Sequence, residues 1–92
     1  MISEKRDKIL LGVKKSRGML DKIEKMLTEG SYCADIAQQI NATIGLLRNA
    51  NATLLENHLQ TCGVSKISSG DPKAISEFSE EVMQIWSVTQ RN

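Results

Sequence analysis

The stretch CADIAQQINATIGLLRNANATLLENHLQTC, residues 33–62, holds both cysteines and the single histidine of a 92-residue chain. Apolar residues recur through it at helical spacing, and neither proline nor a turn cluster interrupts it, so it predicts one long helix. At about 100° per residue, His58 and Cys62 fall about 20° to either side of Cys33, so all three lie on one stripe. Along the axis they are far apart: at about 1.5 Å per residue, Cys33 sits roughly 37 Å from His58. One rod cannot gather them, but two can. An antiparallel pair whose two-fold axis falls near Leu46 and Leu47 sets Cys33 of one chain opposite the His58–Cys62 turn of the other, making two identical sites across one isologous interface. Ile36, Ile40, Ile44 or Thr43, Leu47 and Leu54 form the apolar row expected to hold that pair together. A break near Gly45 would instead permit an intrachain site and remove the case for a dimer.

Ninety-two residues predict a single domain, 1–92, too short for a large core of its own, and oligomerisation is the expected remedy. Net charge is +1, with a mild gradient: residues 1–30 hold eight Lys/Arg against five Asp/Glu, whereas residues 51–92 hold three against five. No apolar run approaches the roughly 18 residues of a membrane span and no signal-peptide core opens the chain, so the expectation is a cytoplasmic protein without a membrane partner. Two cysteines in a reducing compartment serve more often as ligands or reactive thiols than as a structural bridge. With only Tyr32, Phe78 and Trp86 as aromatics, base stacking on single-stranded nucleic acid is disfavoured.

In chain order, Ile9, Val13, Leu20, Ile23 and Leu27 mark an amphipathic first helix from about Ser3 to Glu29, closed by Gly30. Its lysines occupy the other face among acids, with Glu4/Lys8 and Asp21/Lys25 as candidate i,i+4 pairs. That pattern reads first as a solvated face and second as a phosphate-binding one. Ser31 is the expected cap of the central helix, with Asp35 in its first turn. Gly63 is the expected stop, Ser65 to Gly70 a polar loop, and Asp71-Pro72 the start of a third helix carrying Ile75, Phe78, Val82, Ile85 and Trp86. Strand signals and internal repeats are absent, so the class is all-α: a three-helix protomer with one long central helix.

No phosphate loop, serine elbow or paired acid near the histidine competes as an enzymatic constellation, and no small-molecule substrate is implied. Cys33 and His58 across an interface could pair as thiolate and base, but no orienting third group is legible. If the dimer gathers two thiolates and one imidazole, the set suits Cu(I), which accepts three-coordination; Zn(II) and Ni(II) want a fourth ligand that the chain lacks. Taken singly, each residue reads equally as a small apolar filler or a satisfied polar group.

Tyr32-Cys33, Gln39-Ile40, Leu47 and Leu54-Leu55-Glu56-Asn57-His58-Leu59-Gln60-Thr61-Cys62 resemble the copper-sensitive operon repressor family of bacterial metal sensors, over nearly the whole chain. Cys-x24-His-x3-Cys is the specific part. The resemblance implies an antiparallel dimer assembling into a dimer of dimers, a homotetramer. It implies Cu(I) held by Cys33 of one chain and by His58 and Cys62 of its partner. It also implies a metal-free form that binds operator DNA and a copper-bound form that releases it, derepressing copper efflux or storage genes.

Two residues match the family's support of the metal: Tyr32, before the first ligand, and a third-helix glutamate coupled to the histidine, placed at Glu77 with Glu80 or Glu81 as alternatives. The first-helix motif departs from the family. Lys15-Ser16-Arg17-Gly18-Met19 stands where relatives read Arg-Ile-Glu-Gly-Gln, and Gly12 stands at a basic position, leaving Lys14, Lys15, Arg17 and Arg48 as phosphate-contact candidates. Nickel and cobalt sensors in the superfamily add an N-terminal histidine, formaldehyde sensors usually lose the last ligand, and persulfide sensors lose the histidine. Copper therefore fits best. A sulfur sensor using Cys33 and Cys62 comes second, and a helical adaptor without a DNA role is a different class again.

Overall fold

A computed structural model describes residues 1–86, in the order α1 (Ser3–Glu29), α2 (Cys33–His58), a π-helical turn (Leu59–Gly63), α3 (Val64–Ser68) and α4 (Pro72–Trp86). Leu59, Gly63 and Val64 all keep right-handed helical angles, so α2, the π turn and α3 form one unbroken rod. The described residues thus make three rods and no strand, the predicted all-α class. Gly45 lies inside α2 and does not break it.

The α1–α2 connection is a tight helix ending. Gly30 takes φ 73°, its N–H donates to Leu27 O, and Ser31 N–H donates to Met26 O at 2.9 Å. This closure satisfies carbonyls that the helix end would otherwise leave open. Ser31 is thereby part of that closure, and the residue at the N-cap of α2 is Tyr32, with no side-chain cap; the expected Ser31 cap is not formed.

α1 and α2 pack antiparallel over a seam with heptad spacing. On α1 it runs through Lys5, Ile9, Gly12, Ser16, Met19, Ile23 and Met26, and on α2 through Ile36, Gln39, Thr43, Leu46, Ala50, Thr53 and Asn57, all of them buried or half-buried. Small residues let the rods approach closely: a Cβ on Gly12 would lie 3.4 Å from Ala50 Cβ. The buried hydroxyls are satisfied locally, each donating to the carbonyl four residues back: Ser16 to Gly12, Thr43 to Gln39, Thr53 to Asn49. At the far end Ile2 N–H donates to Asn57 Oδ1 (3.0 Å), and Lys5 Nζ pairs with Glu56 (3.0 Å). The expected surface pairs differ too, since Lys25 approaches Glu29 at 3.9 Å rather than Asp21.

This seam corrects two sequence expectations. Val13, Leu20 and Leu27 do not face α2, and the row expected along α2 divides in two. Ile36 and Thr43 turn into the hairpin, while Ile40, Ile44 and Leu47 stay outside, 41–47% exposed. Among the described residues the buried apolar side chains are Ile23, Ile36, Phe78 and Trp86, and no large side chain is fully buried.

The second half also departs from expectation. Gly63 does not stop the rod, and residues 64–68 are helical rather than loop. The stop is Gly70, at φ 69°. Asp71 then caps α4, its Oδ1 accepting Lys73 N–H at 3.1 Å, with Pro72 at the first helical position. α4 runs back along the rod until Trp86 Nε1–H donates to Asn51 O at 3.0 Å.

Candidate metal centre

His58 ends α2 beneath α4, and three α4 side chains hold it. Phe78 and Trp86 stack on the imidazole with ring centroids 5.0 and 5.3 Å away and interplanar angles of 30° and 28°. Their α-carbons are about 12 Å apart along α4, so the two rings reach the imidazole from different turns of that helix. Between them, Glu81 Oε2 lies 3.3 Å from His58 Nε2. A carboxylate only accepts, so this contact has Nε2 donating, and in a neutral imidazole Nδ1 is then the nitrogen that carries the lone pair.

Gly63 makes this stack possible. A Cβ there would lie 3.1 Å from Phe78 Cζ and 3.3 Å from Phe78 Cε1, so the missing side chain is the slot in which the phenyl ring sits. Sequence reasoning takes this glycine for a helix stop because its packing partner lies fifteen residues on.

Cys62 follows His58 within the π turn and is exposed. In an α-helix residue i+4 passes a full rotation; the wider π turn, with its i→i+5 bonding, leaves it short of one. Cys62 is therefore rotated back relative to the simple helical stripe. Thr61 Oγ1 donates to Asn57 O at 2.8 Å and lies 3.8 Å from Cys62 Sγ.

Cys33 opens α2 at the other end of the hairpin, also exposed. With α2 unbroken, its roughly 37 Å separation from His58 stands. Among the described residues no three His, Cys, Asp or Glu side chains come together as a metal site. What one chain presents is a single outer stripe that begins at Cys33, passes Ile40, Ile44 and Leu47, and ends at His58. Two thiols and a tethered imidazole suit a soft metal, provided two chains combine.

Tyr32, beside Cys33, is 71% exposed. Glu77 approaches Lys73 (4.0 Å), and the acid that reaches His58 is Glu81, one turn further along α4.

The basic candidates do not share one face. Lys14, Lys15, Arg17 and Arg48 are all exposed, but at about 100° per residue Arg17 and Lys15 lie on opposite sides of α1. Arg48 sits beside Ile44, Leu47 and Asn51 on the apolar side of α2. Lys15 instead lines a groove with Lys8, Gly12, Asn49 and Thr53 on the other side of the hairpin. Lys8, Lys15 and Lys22, seven apart, form a basic row along that side. The heptad of the seam is the signal in the sequence that points to this row.

Three helical rods, with an exposed cysteine at one end of the central rod and a histidine followed by a second exposed cysteine at the other, define a small all-helical protein with soft-ligand side chains at both ends of one helix. The profile of the metal-sensitive transcriptional repressor family matches residues 5–86, and the chain belongs to that family. It is a family of transcriptional repressors, not of enzymes. The chain is similar to the copper-sensing transcriptional repressor CsoR of Mycobacterium ulcerans, 36% identical over 82 residues, 88% of this chain and 70% of that protein. It is also similar to CsoR of Mycobacterium tuberculosis strain H37Rv, 37% over 76 residues, covering 83% of this chain and 64% of that protein. CsoR of Bacillus subtilis is 37% identical over 77 residues, 83% and 76% of the two chains. The chain thus spans about two thirds of the length of its mycobacterial relatives. No solved structure matches it significantly. No helix among the described residues is long and apolar enough to cross a membrane.

Proposed function

We propose that this chain is a Cu(I)-responsive repressor in the cytoplasm, binding operator DNA when metal-free and releasing it when Cu(I) is bound. The observation that carries the reading is the state of His58. Its Nε2 is taken by Glu81, and it lies at the end of a stripe that begins at the exposed Cys33. In an antiparallel dimer Cys33 of one protomer, with His58 and Cys62 of its partner, would hold the ion, and Tyr32 would lie beside the joined site. Cu(I) bound there would supply a soft centre for the two thiolates and the imidazole, and those residues would then link the two subunits. The names of the similar mycobacterial and Bacillus proteins support copper as the metal.

Glu81 fixes the imidazole tautomer and orientation, as carboxylates do for metal-ligating histidines. Phosphate contacts fall first to the Lys8, Lys15, Lys22 row, while Arg17 and Arg48 lie on other sides of the hairpin and Lys14 is exposed next to Lys15. Occupancy and DNA binding are then coupled through the arrangement of subunits, by about 1–3 kcal/mol for a typical allosteric pair. The test is His58→Ala: operator binding in gel shift is retained, and release on Cu(I) addition is lost. A variant still released by copper would overturn the reading.

The exposure of both thiols favours one second reading, a sulfur sensor in which Cys33 and Cys62 of opposite chains are linked on persulfide treatment. Mass spectrometry separates the two: an interchain Cys33–Cys62 linkage accompanied by DNA release selects the sulfur sensor.

A further inference from the structure

We infer that Phe78 and Trp86 are positioning residues for the metal-binding histidine, and that Trp86 carries the state of His58 into the docking of α4 on α2. The inference deepens the copper reading and rests on it for the role of His58. The stack itself stands on geometry alone.

Three observations converge. Two aromatic rings contact the same imidazole at 5.0 and 5.3 Å, while Glu81 fixes the ring's rotation by holding Nε2. Stacking restrains the plane and the hydrogen bond restrains the spin, so the direction of the Nδ1 lone pair is fully set. Gly63 is fitted to this purpose, since a Cβ there would crowd Phe78 at 3.1 Å and force the phenyl ring to shift. Trp86 has a second attachment: its indole N–H holds Asn51 O, nearly two turns of α2 before His58. A displacement of the imidazole toward a ligand therefore presses on the residue that pins the end of α4 to the middle of the rod. Both aromatic contacts come from one helix, so the imidazole cannot tilt without one ring or the other following.

The experiment uses the full chain with Trp86→Leu, which keeps an apolar side chain but removes the stack, and Trp86→Phe, which keeps a ring but removes the bond to Asn51. The first readout is metal-free: the His58 ring-proton resonances by NMR, which two flanking aromatic faces shift upfield. The second is Cu(I) affinity by competition with a chromophoric chelator. Trp86→Leu moves the ring resonances downfield and weakens Cu(I) binding by about 10–100-fold, the usual effect of losing support around a metal ligand. Trp86→Phe restores most of both. Unchanged ring resonances in Trp86→Leu, or equal losses in the Leu and Phe variants at unchanged helicity, would overturn the inference.

Should Trp86→Leu fail to fold, the wild-type chain decides. Trp86 is the only tryptophan, and its emission changes as Cu(I) is added up to one per chain, but not in His58→Asn. Emission that ignores bound Cu(I) overturns the link to α4. Absence of Cu(I) binding in the wild type would instead sink the copper reading, while the metal-free NMR comparison would still judge the stack.

Discussion

His58 is held by four residues that sequence spacing does not connect: Phe78, Glu81 and Trp86 on α4, and Gly63, whose lack of a side chain admits Phe78. Glu81→Gln keeps the shape but removes the anionic acceptor, and we expect Cu(I) affinity to fall about 10–100-fold in chelator competition. Gly63→Ala sets two terms against each other. Alanine is favoured in a helix by about 1 kcal/mol, but overpacking against a buried ring costs about 1–3 kcal/mol. The clash at 3.1 Å with the phenyl ring decides for destabilisation, by about 1 kcal/mol in urea unfolding. Gly18→Ala, where a Cβ meets nothing within 4 Å, should stabilise by about 1 kcal/mol in the same assay. The His58/Cys62 spacing was legible in the sequence, and an acid of the third helix beside His58 was expected from the family resemblance. Which acid it is was not, because the register of α4 depends on where the preceding turn falls. Residues 64–68 extend the rod to Gly70 and so place Glu81, not Glu77, over the imidazole.

At the level of elements, the helix boundaries that depend on local chemistry were readable: Gly30 in its left-handed turn, and Asp71-Pro72 opening α4. The α1–α2 seam was not. Periodicity looks for apolar residues, whereas this seam is lined by Gly12, Ser16, Thr43, Ala50, Thr53 and Asn57, whose virtue is small size and self-satisfied hydroxyls. The bulky apolar residues that dominate the pattern, Val13, Leu20, Leu27, Ile40, Ile44 and Leu47, lie outside it. Locating the seam separates the hairpin into an apolar side and a side bearing Lys8, Lys15 and Lys22. Lys15→Ala should lower operator affinity and reduce the slope of log K against log salt by about 0.9 for each phosphate no longer neutralised, measured by fluorescence anisotropy across salt concentrations. Arg17→Ala, on the opposite side of α1, should change the slope less.

For the whole molecule, a flat body of 57 × 27 × 13 Å with few buried apolar side chains leaves the outer stripe of α2 without cover. Leu47, 47% exposed near the expected two-fold axis, is its centre. Leu47→Glu should place two like charges face to face across the axis and shift sedimentation toward the monomer, with loss of tight Cu(I) binding because no chain holds all three ligands. The most direct measurement is complementation between defective protomers. Cys33→Ala and Cys62→Ala chains, each unable to bind Cu(I) tightly alone, are unfolded together, refolded as an equimolar mixture and titrated with Cu(I) against a chelator. If the site is shared between antiparallel subunits, half of the dimers are mixed and each regains one intact site, so tight binding returns at about one quarter of the wild-type stoichiometry per chain. A mixture that binds no more Cu(I) than its two components, or single variants that each keep full tight binding, would contradict the shared site.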